Sequence, residues 1–499
     1  METLNPLDYI IIFVYFSITL LMGLWFIAKS KKTAIEFAIA DKKISGWILG
    51  CSLMVTYISS IAFLAMPAKT FSSNWSAYAM GLSSPILAWL TVKYFIPFYR
   101  STNDICSYSH LRRRFGNWAS IYAVICLILS NIIWMGTILY LLAMALSMMT
   151  GVESKYIIII TGTVVTAYTC MGGIKAVIWT DVLQCFILIV GALICLYYIL
   201  SLIPGGIEQA HEIAMANDKF SFGNFKFNFF ESTFWVYLIT GFTLNLQTFG
   251  INQGFVQRYF SAKSQKAASS SIQIATLLYL FITALFFLIG TYLFSFYQIF
   301  PDRLPNEIVE QGTEFIYPHF LMKELPVGIK GLVITAILAA AMSSIDSGIN
   351  CIATAIYSEI YIPIMEYKHK SVKSINILYI FSALSGILSI ATAEILKNSQ
   401  SLLDAWWAMD SIFSGGTLGL FILAFISKKA KKPAALMAVT LGTTIIVWIA
   451  LSNYFSNNSN FPKLPLHSFM TLFVGSTIIV LMGITYTKFL ERKPILHDT

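Results

Sequence analysis

Four short stretches of this 499-residue chain set oxygen-bearing side chains inside apolar runs, and oxygen is what a small hard cation binds. The longest is Ala339-Ala340-Ala341-Met342-Ser343-Ser344-Ile345-Asp346-Ser347-Gly348-Ile349-Asn350. Ser343, Asp346, Ser347, Asn350 and Thr354 recur at spacings of three, four and seven, so on a helix they form one polar stripe. Packing through small residues accounts for the serines but poorly for Asp346, whose carboxylate would offset a cation's charge in a low dielectric. The second stretch, Val55-Thr56-Tyr57-Ile58-Ser59-Ser60, lies between Gly50 and Pro67. It can unwind and turn carbonyls toward an ion, or simply pack helices together. The third is Asp181, after Ile178-Trp179-Thr180, which suits either a helix-terminus interaction or a cation. The fourth is Asp410, beside Ser411 and Ser414-Gly415-Gly416, and it can gate, bind or hydrogen-bond a neighbouring helix.

These groups need membrane-spanning helices to hold them. The chain is 57% hydrophobic and 11% charged, with a mean hydropathy of +0.73, which excludes a large soluble globule. At about 20 apolar residues per crossing, thirteen spans are expected. They run Leu7 to Ala28, Gly46 to Pro67, Trp75 to Phe98, Trp118 to Met149, Ile157 to Met171, Ala176 to Leu202 and Thr233 to Gln253. Ser270 to Tyr297, Pro326 to Ser358, Val372 to Ala393, Leu403 to Ile426, Pro433 to Tyr454 and Phe469 to Thr487 complete the set.

The net charge of +9 is informative through its placement. With the N-terminus outside and the C-terminus cytoplasmic, twenty-three of the 33 basic residues, Arg258 among them, fall in inward loops, and every such loop has one. The basic residues are thus read as topological determinants, and no nucleic-acid partner is expected. Six cysteines lie in spans and Cys106 in an inward loop, so they are read as packing residues. The first span lacks a basic n-region and a cleavage site and is expected to be retained. No loop carries a metal-ligand spacing, phosphate loop, nucleophile elbow or paired carboxylates, so an enzyme is not expected. Spans two to six and seven to eleven are two groups of five running oppositely through the membrane, the pattern of an inverted repeat.

The chain resembles the sodium/solute symporters, which include bacterial sialic acid, sugar, proline and pantothenate carriers. The resemblance rests on Ser59-Ser60-Ile61-Ala62-Phe63 with Pro67-Ala68-Lys69, and on Met171-Gly172-Gly173-Ile174-Lys175 running to Asp181. Asn252-Gln253, Val256-Gln257-Arg258-Tyr259, Ala262-Lys263-Ser264 and Met342-Ser343-Ser344 complete it. It implies an all-α membrane protein with a LeuT-like five-plus-five inverted-repeat core, one helix before it (7–28) and two after it (433–487), the repeats covering 46–202 and 233–426. It also implies Na⁺ as the coupling ion. A first sodium site would use carbonyls of Val55, Ile58 and Ala340 with hydroxyls of Ser343 and Ser344. A second, known from the sialic acid branch, would use Asp181, Ser343, Asp346 and Ser347.

The resemblance leaves the solute open. Pro67-Ala68-Lys69 is similar to the sialic acid carriers, whereas Asn245-Leu246 with Gly250 and Asn252-Gln253 is similar to the sugar carriers. Sialic acid carriers hold the solute carboxylate with an arginine where this chain has Trp134. Tryptophan supplies no ionic fork but can stack on a sugar face. Tyr57, Ser59, Trp134, Asn245 and Gln247 are the expected solute-lining residues. The expectation is a Na⁺-coupled importer of a small polar solute, a sugar or sugar acid such as sialic acid, in a bacterial inner membrane with no obligate protein partner. A monocarboxylate, amino acid or vitamin symporter, a proton-coupled carrier using Asp181 or Asp346, and a membrane sensor are the alternatives.

Overall fold

The computed structural model describes residues 4–29, 33–102, 104–369, 375–396, 402–454 and 466–492, and these are overwhelmingly helical. The helices that matter here are α1 (Pro6–Lys29), α2 (Gly46–Tyr57), α3 (Ser60–Ser72), α4 (Trp75–Arg100), α5 (Asn117–Thr150), α6 (Ser154–Leu202) and α7 (Phe234–Gly250). They continue as α8 (Gln253–Ser261), α9 (Gln265–Ile299), α10 (Ile329–Ile356), α11 (Asn376–Leu396), α12 (Leu402–Ile426), α13 (Lys432–Tyr454) and α14 (Thr471–Arg492).

Nine described helices are long and apolar enough to cross a membrane, and the bent pair α2–α3 makes a tenth crossing. At 1.5 Å per residue, the 49 residues of α6 would reach about 74 Å, more than twice a hydrocarbon core. Gly173, at φ 58° and ψ −160°, divides it. This conformation is open to glycine alone. A Cβ there would also lie 2.9 Å from the Phe37 carbonyl oxygen. The expected fifth and sixth spans meet at this turn. The 17-residue α7 and the 25-residue α12 bring the crossings to thirteen. The expected start of the tenth span at Val372 lies outside the described residues.

The α10 helix is the axis of the molecule. Its apolar run is buried on nearly all sides, and it packs most extensively on α6, then on α5, α11 and α1. Bilayer lipid competes well with apolar side chains, so such a helix is fixed by close packing and by its polar groups. The polar stripe from Ser343 to Thr354 is buried along its whole length. At the other face, α9 packs on both halves of the bent pair. Gly290 makes this possible, because a Cβ there would lie 2.2 Å from the Pro67 carbonyl oxygen.

One part of the charge reading is corrected. The seventh span does not run out into an inward loop after Gln253: the chain turns at Ile251–Asn252 and resumes as α8, all nine of whose residues are buried. Arg258 is therefore no loop cation. Its side chain has no exposure and is neutralised from within.

Candidate functional site

The bent pair α2–α3 supplies the first half of the site. Ile58 (φ −100°, ψ 110°) and Ser59 (φ −93°, ψ 173°) are extended, and the two helices bend by 61° at this point. The last helical hydrogen bond of α2 runs from Ile58 N to Met54 O at 3.0 Å. The Val55 carbonyl is the next along and lies beyond the reach of its own helix. Ser343 Oγ, on α10, reaches it at 3.1 Å and the Ala340 carbonyl at 3.1 Å. Ser344 Oγ reaches the same Ala340 carbonyl at 3.4 Å.

Four of the five residues of the expected first sodium site are thus drawn together by their oxygens. The fifth, Ile58, is buried at the break itself. A hydroxyl has one hydrogen and two lone pairs, and each carbonyl has two lone pairs. Acceptor capacity here exceeds the supply of hydrogens, a surplus that a hard monovalent cation satisfies. Among the described residues no three His, Cys, Asp or Glu side chains cluster to hold a metal.

The groups of the expected second site lie one turn along α10 in a dry polar network. Arg258 Nη2 sits 2.8 Å from Asp181 Oδ2, with both side chains fully buried. The same nitrogen donates to Ser347 Oγ at 2.7 Å, Nε donates to Ser52 Oγ at 2.6 Å, and Nη1 donates to the Gly254 carbonyl at 2.8 Å. Ser52 Oγ in turn donates to Asp181 Oδ2 at 2.5 Å. Asp346 accepts from the Tyr168 hydroxyl at 2.6 Å on Oδ2 and from Ser347 Oγ at 3.3 Å on Oδ1. Ser347 and Thr56 hydroxyls are 3.1 Å apart. The network holds two carboxyl groups and one guanidinium, which pairs with Asp181 alone, and Asp181 Oδ1 is buried with no hydrogen-bond partner. Burial makes such an uncompensated oxygen costly.

The end of the stripe is held differently. Gln257 Nε2 donates to Asn350 Oδ1 at 2.6 Å and to Thr354 Oγ1 at 3.0 Å, and also to the Ala38 carbonyl. Asn350 and Thr354 therefore serve to seat α8.

Beside the break lies a cavity of about 560 Å³, a size that suits a small organic molecule. Tyr57, Ser59, Trp134 and Gln247 line it, together with Ile58, Ser344 and Ser347 from the two ion-binding candidates. Asn245 does not line it, which corrects the sequence reading. Its Oδ1 accepts from the Tyr57 hydroxyl at 2.8 Å, and its Nδ2 donates to Ser83 Oγ at 2.9 Å and to the Met80 carbonyl at 3.3 Å. It is a buried strut that fixes the Tyr57 ring. Sequence reasoning missed Ser130, Asn131, Tyr279 and Thr248 on the wall. The spacing of Ser130 and Asn131 from Trp134, four and three residues, is the available signal.

A thirteen-span bundle with a broken second crossing, an oxygen cluster at the break and an adjoining solute-sized cavity defines an ion-coupled secondary transporter. The model of the Sodium:solute symporter family matches residues 37–442. A sodium/sialic acid symporter of Proteus mirabilis is 32% identical, aligned over 99% of this chain and 97% of its own length. One from Aliivibrio fischeri is 29% identical over 97% and 93%. The solved structure of a Na⁺-coupled sialic acid symporter, substrate-bound and open outward, superposes with a TM-score of 0.86 at 30% identity, covering 97% of this chain and 98% of that one. The chain belongs to the sodium:solute symporter family. It is a multi-pass sodium-coupled transporter of a small solute with the LeuT-like fold.

Proposed function

We propose that this symporter imports a sugar or sugar acid of the sialic acid class, driven by inward Na⁺ flow through alternating access. The observation that carries the reading is the bridge from Ser343 on α10 to the Val55 carbonyl freed at the break. A cation there ties the bent pair to the central helix, and Ser344 belongs both to that cluster and to the cavity wall. Ion and solute therefore favour the same arrangement of the helices.

The first sodium is held by Val55, Ile58, Ala340, Ser343 and Ser344. A second sodium draws on Asp181 Oδ1, Ser343, Asp346 and Ser347, supported by the excess of carboxyl groups over guanidinium in that network. Tyr57, Ser59, Trp134 and Gln247 contact the solute. The repeats cover 46–202 and 233–426, with the N-terminus outside, the C-terminus in the cytoplasm and the protein in a bacterial inner membrane. Each charge entering through a potential of 100 mV contributes about 2.3 kcal/mol.

The test is uptake of labelled N-acetylneuraminate and N-acetylmannosamine into proteoliposomes, with Na⁺ exchanged for choline at fixed pH. Uptake of at least one that collapses in choline is expected. Uptake that persists in choline and follows an imposed proton gradient overturns the sodium assignment in favour of proton coupling through Asp181 or Asp346.

A further inference from the structure

Asp410 takes no part in either ion-binding cluster, yet it stands on the wall of the solute cavity. Its Oδ1 accepts from Ser130 Oγ on α5 at 2.6 Å and from Ser414 Oγ, one turn along α12, at 3.0 Å. Both hydroxyls address the same oxygen, so they fix the carboxyl plane and neither engages Oδ2. Ser130 is also four residues before Trp134 on α5, and both line the cavity. A carboxylate with one oriented oxygen in the same cavity as an aromatic platform is the pairing that holds a polyhydroxylated ring: the ring face packs on the indole while hydroxyl or ammonium hydrogens go to the carboxylate.

The charge pattern of the cavity restricts which ring. Among the described lining residues Asp410 is the one acid and Lys69 the one base. Lys69 is exposed in the last turn of α3, where solvent screens it, whereas Asp410 is held inside the wall. The first ion cluster, which shares Ile58 and Ser344 with the cavity, contains only neutral oxygens. One sodium there and one carboxylate at Asp410 balance when the cargo is neutral. A carboxylate-bearing solute instead adds a like charge that no lining arginine offsets, and such juxtaposition is how sites reject a competitor.

The geometry points to Asp410 as a specificity-determining residue that accepts hydrogens from the solute and biases this carrier toward neutral or amino sugars over sugar acids. The inference rests on the sugar-symporter reading above and narrows it.

The experiment uses the full-length protein in lipid nanodiscs and measures binding of N-acetylmannosamine, mannosamine, mannuronate and N-acetylneuraminate in Na⁺ and in choline. The better of the first two is expected to bind wild type at least tenfold more tightly than either acid, in Na⁺ only. Asp410→Asn should weaken that ligand tenfold or more while leaving the acids unchanged or improved. An acid that binds wild type as tightly as the neutral and amino sugars overturns the inference and leaves the symporter reading intact. So does an Asp410→Asn protein that binds all four as wild type does, or loses all four equally. No Na⁺-dependent binding of any of the four overturns both. If Asp410→Asn fails to fold, Asp410→Glu retains the charge and must retain the discrimination against acids; its loss there also overturns the inference.

Discussion

Arg258 and Asp181 meet at 2.8 Å with neither side chain exposed to solvent, which joins the short helix α8 to the inner part of α6. Ser52 and Ser347 also accept from the guanidinium and carry the link to α2 and α10. Removing one partner strands the other charge in a dry site, at a cost of about 3–5 kcal/mol. Arg258→Met is therefore expected to lower the thermal unfolding midpoint of the purified protein markedly. Arg258→Met combined with Asp181→Leu should recover more than half of that loss. A double variant no better than the single one contradicts the account.

Ser343 bridges two carbonyls on different helices, and a hydrogen bond or ligand contact to a charged species contributes about 1.5–3 kcal/mol. Ser343→Ala should raise the Na⁺ concentration for half-maximal uptake about tenfold or more, with the maximal rate approached at high Na⁺. Uptake titrated with Na⁺ in proteoliposomes decides it. An unchanged half-saturation point removes Ser343 from the ligand set.

Gly173 holds a backbone conformation closed to side-chain-bearing residues, and the Phe37 carbonyl leaves no room for a Cβ. Gly173→Ala is expected to cost about 1–3 kcal/mol from the backbone alone. Size-exclusion chromatography after mild heating should show the variant lost at temperatures wild type survives. Gly81→Ala serves as comparison, because Gly81 lacks the positive φ and a Cβ there meets its nearest neighbour only at 3.4 Å.

His110 lies between spans, packed against the rings of Phe98 and Phe425 at 4.8 and 5.0 Å. Burial, aided by Arg113 and Arg114, pushes its imidazole down to about 4, with Asp104 opposing weakly. The unfolded chain takes up this proton near the ordinary value of 6.5, so between those two values the unfolded state binds more protons. Stability from this residue is fully present above pH 6.5, falls as pH drops toward 4, and changes no further below. His110→Gln should flatten the decline of the unfolding midpoint between pH 7 and 5 relative to wild type. Parallel curves for the two proteins refute it.

Thirteen crossings were legible because hydrophobic length is set by bilayer thickness and is written directly in the residues. The polar residues between Gly50 and Pro67 are compatible with unwinding or with plain helix packing, and the fold decides for a break at Ile58–Ser59. What polarity does not disclose is direction. Asn245 and Gln247 are alike in type and two residues apart, yet Gln247 faces the cavity while Asn245 is spent on Tyr57, Ser83 and Met80. Arg258 was misplaced for a related reason. A cation between hydrophobic runs reads as a loop residue, and only the fold reveals that Asp181, 77 positions earlier, lies within reach. For Asp410 the sequence leaves three roles open because its partner Ser130 is 280 positions away.

The shared edge at Ser344, where the oxygen cluster meets the cavity, also fixes a rule of exchange. Two ligands that bias one equilibrium must do so reciprocally. However much sodium tightens the grip on the solute, the solute tightens the grip on sodium by the same factor. A solute analogue that fills the cavity without drawing the break toward α10 would then bind equally well in sodium and in choline. It would occupy the carrier as an uncoupled passenger, and so act as an inhibitor whose potency does not depend on the ion gradient.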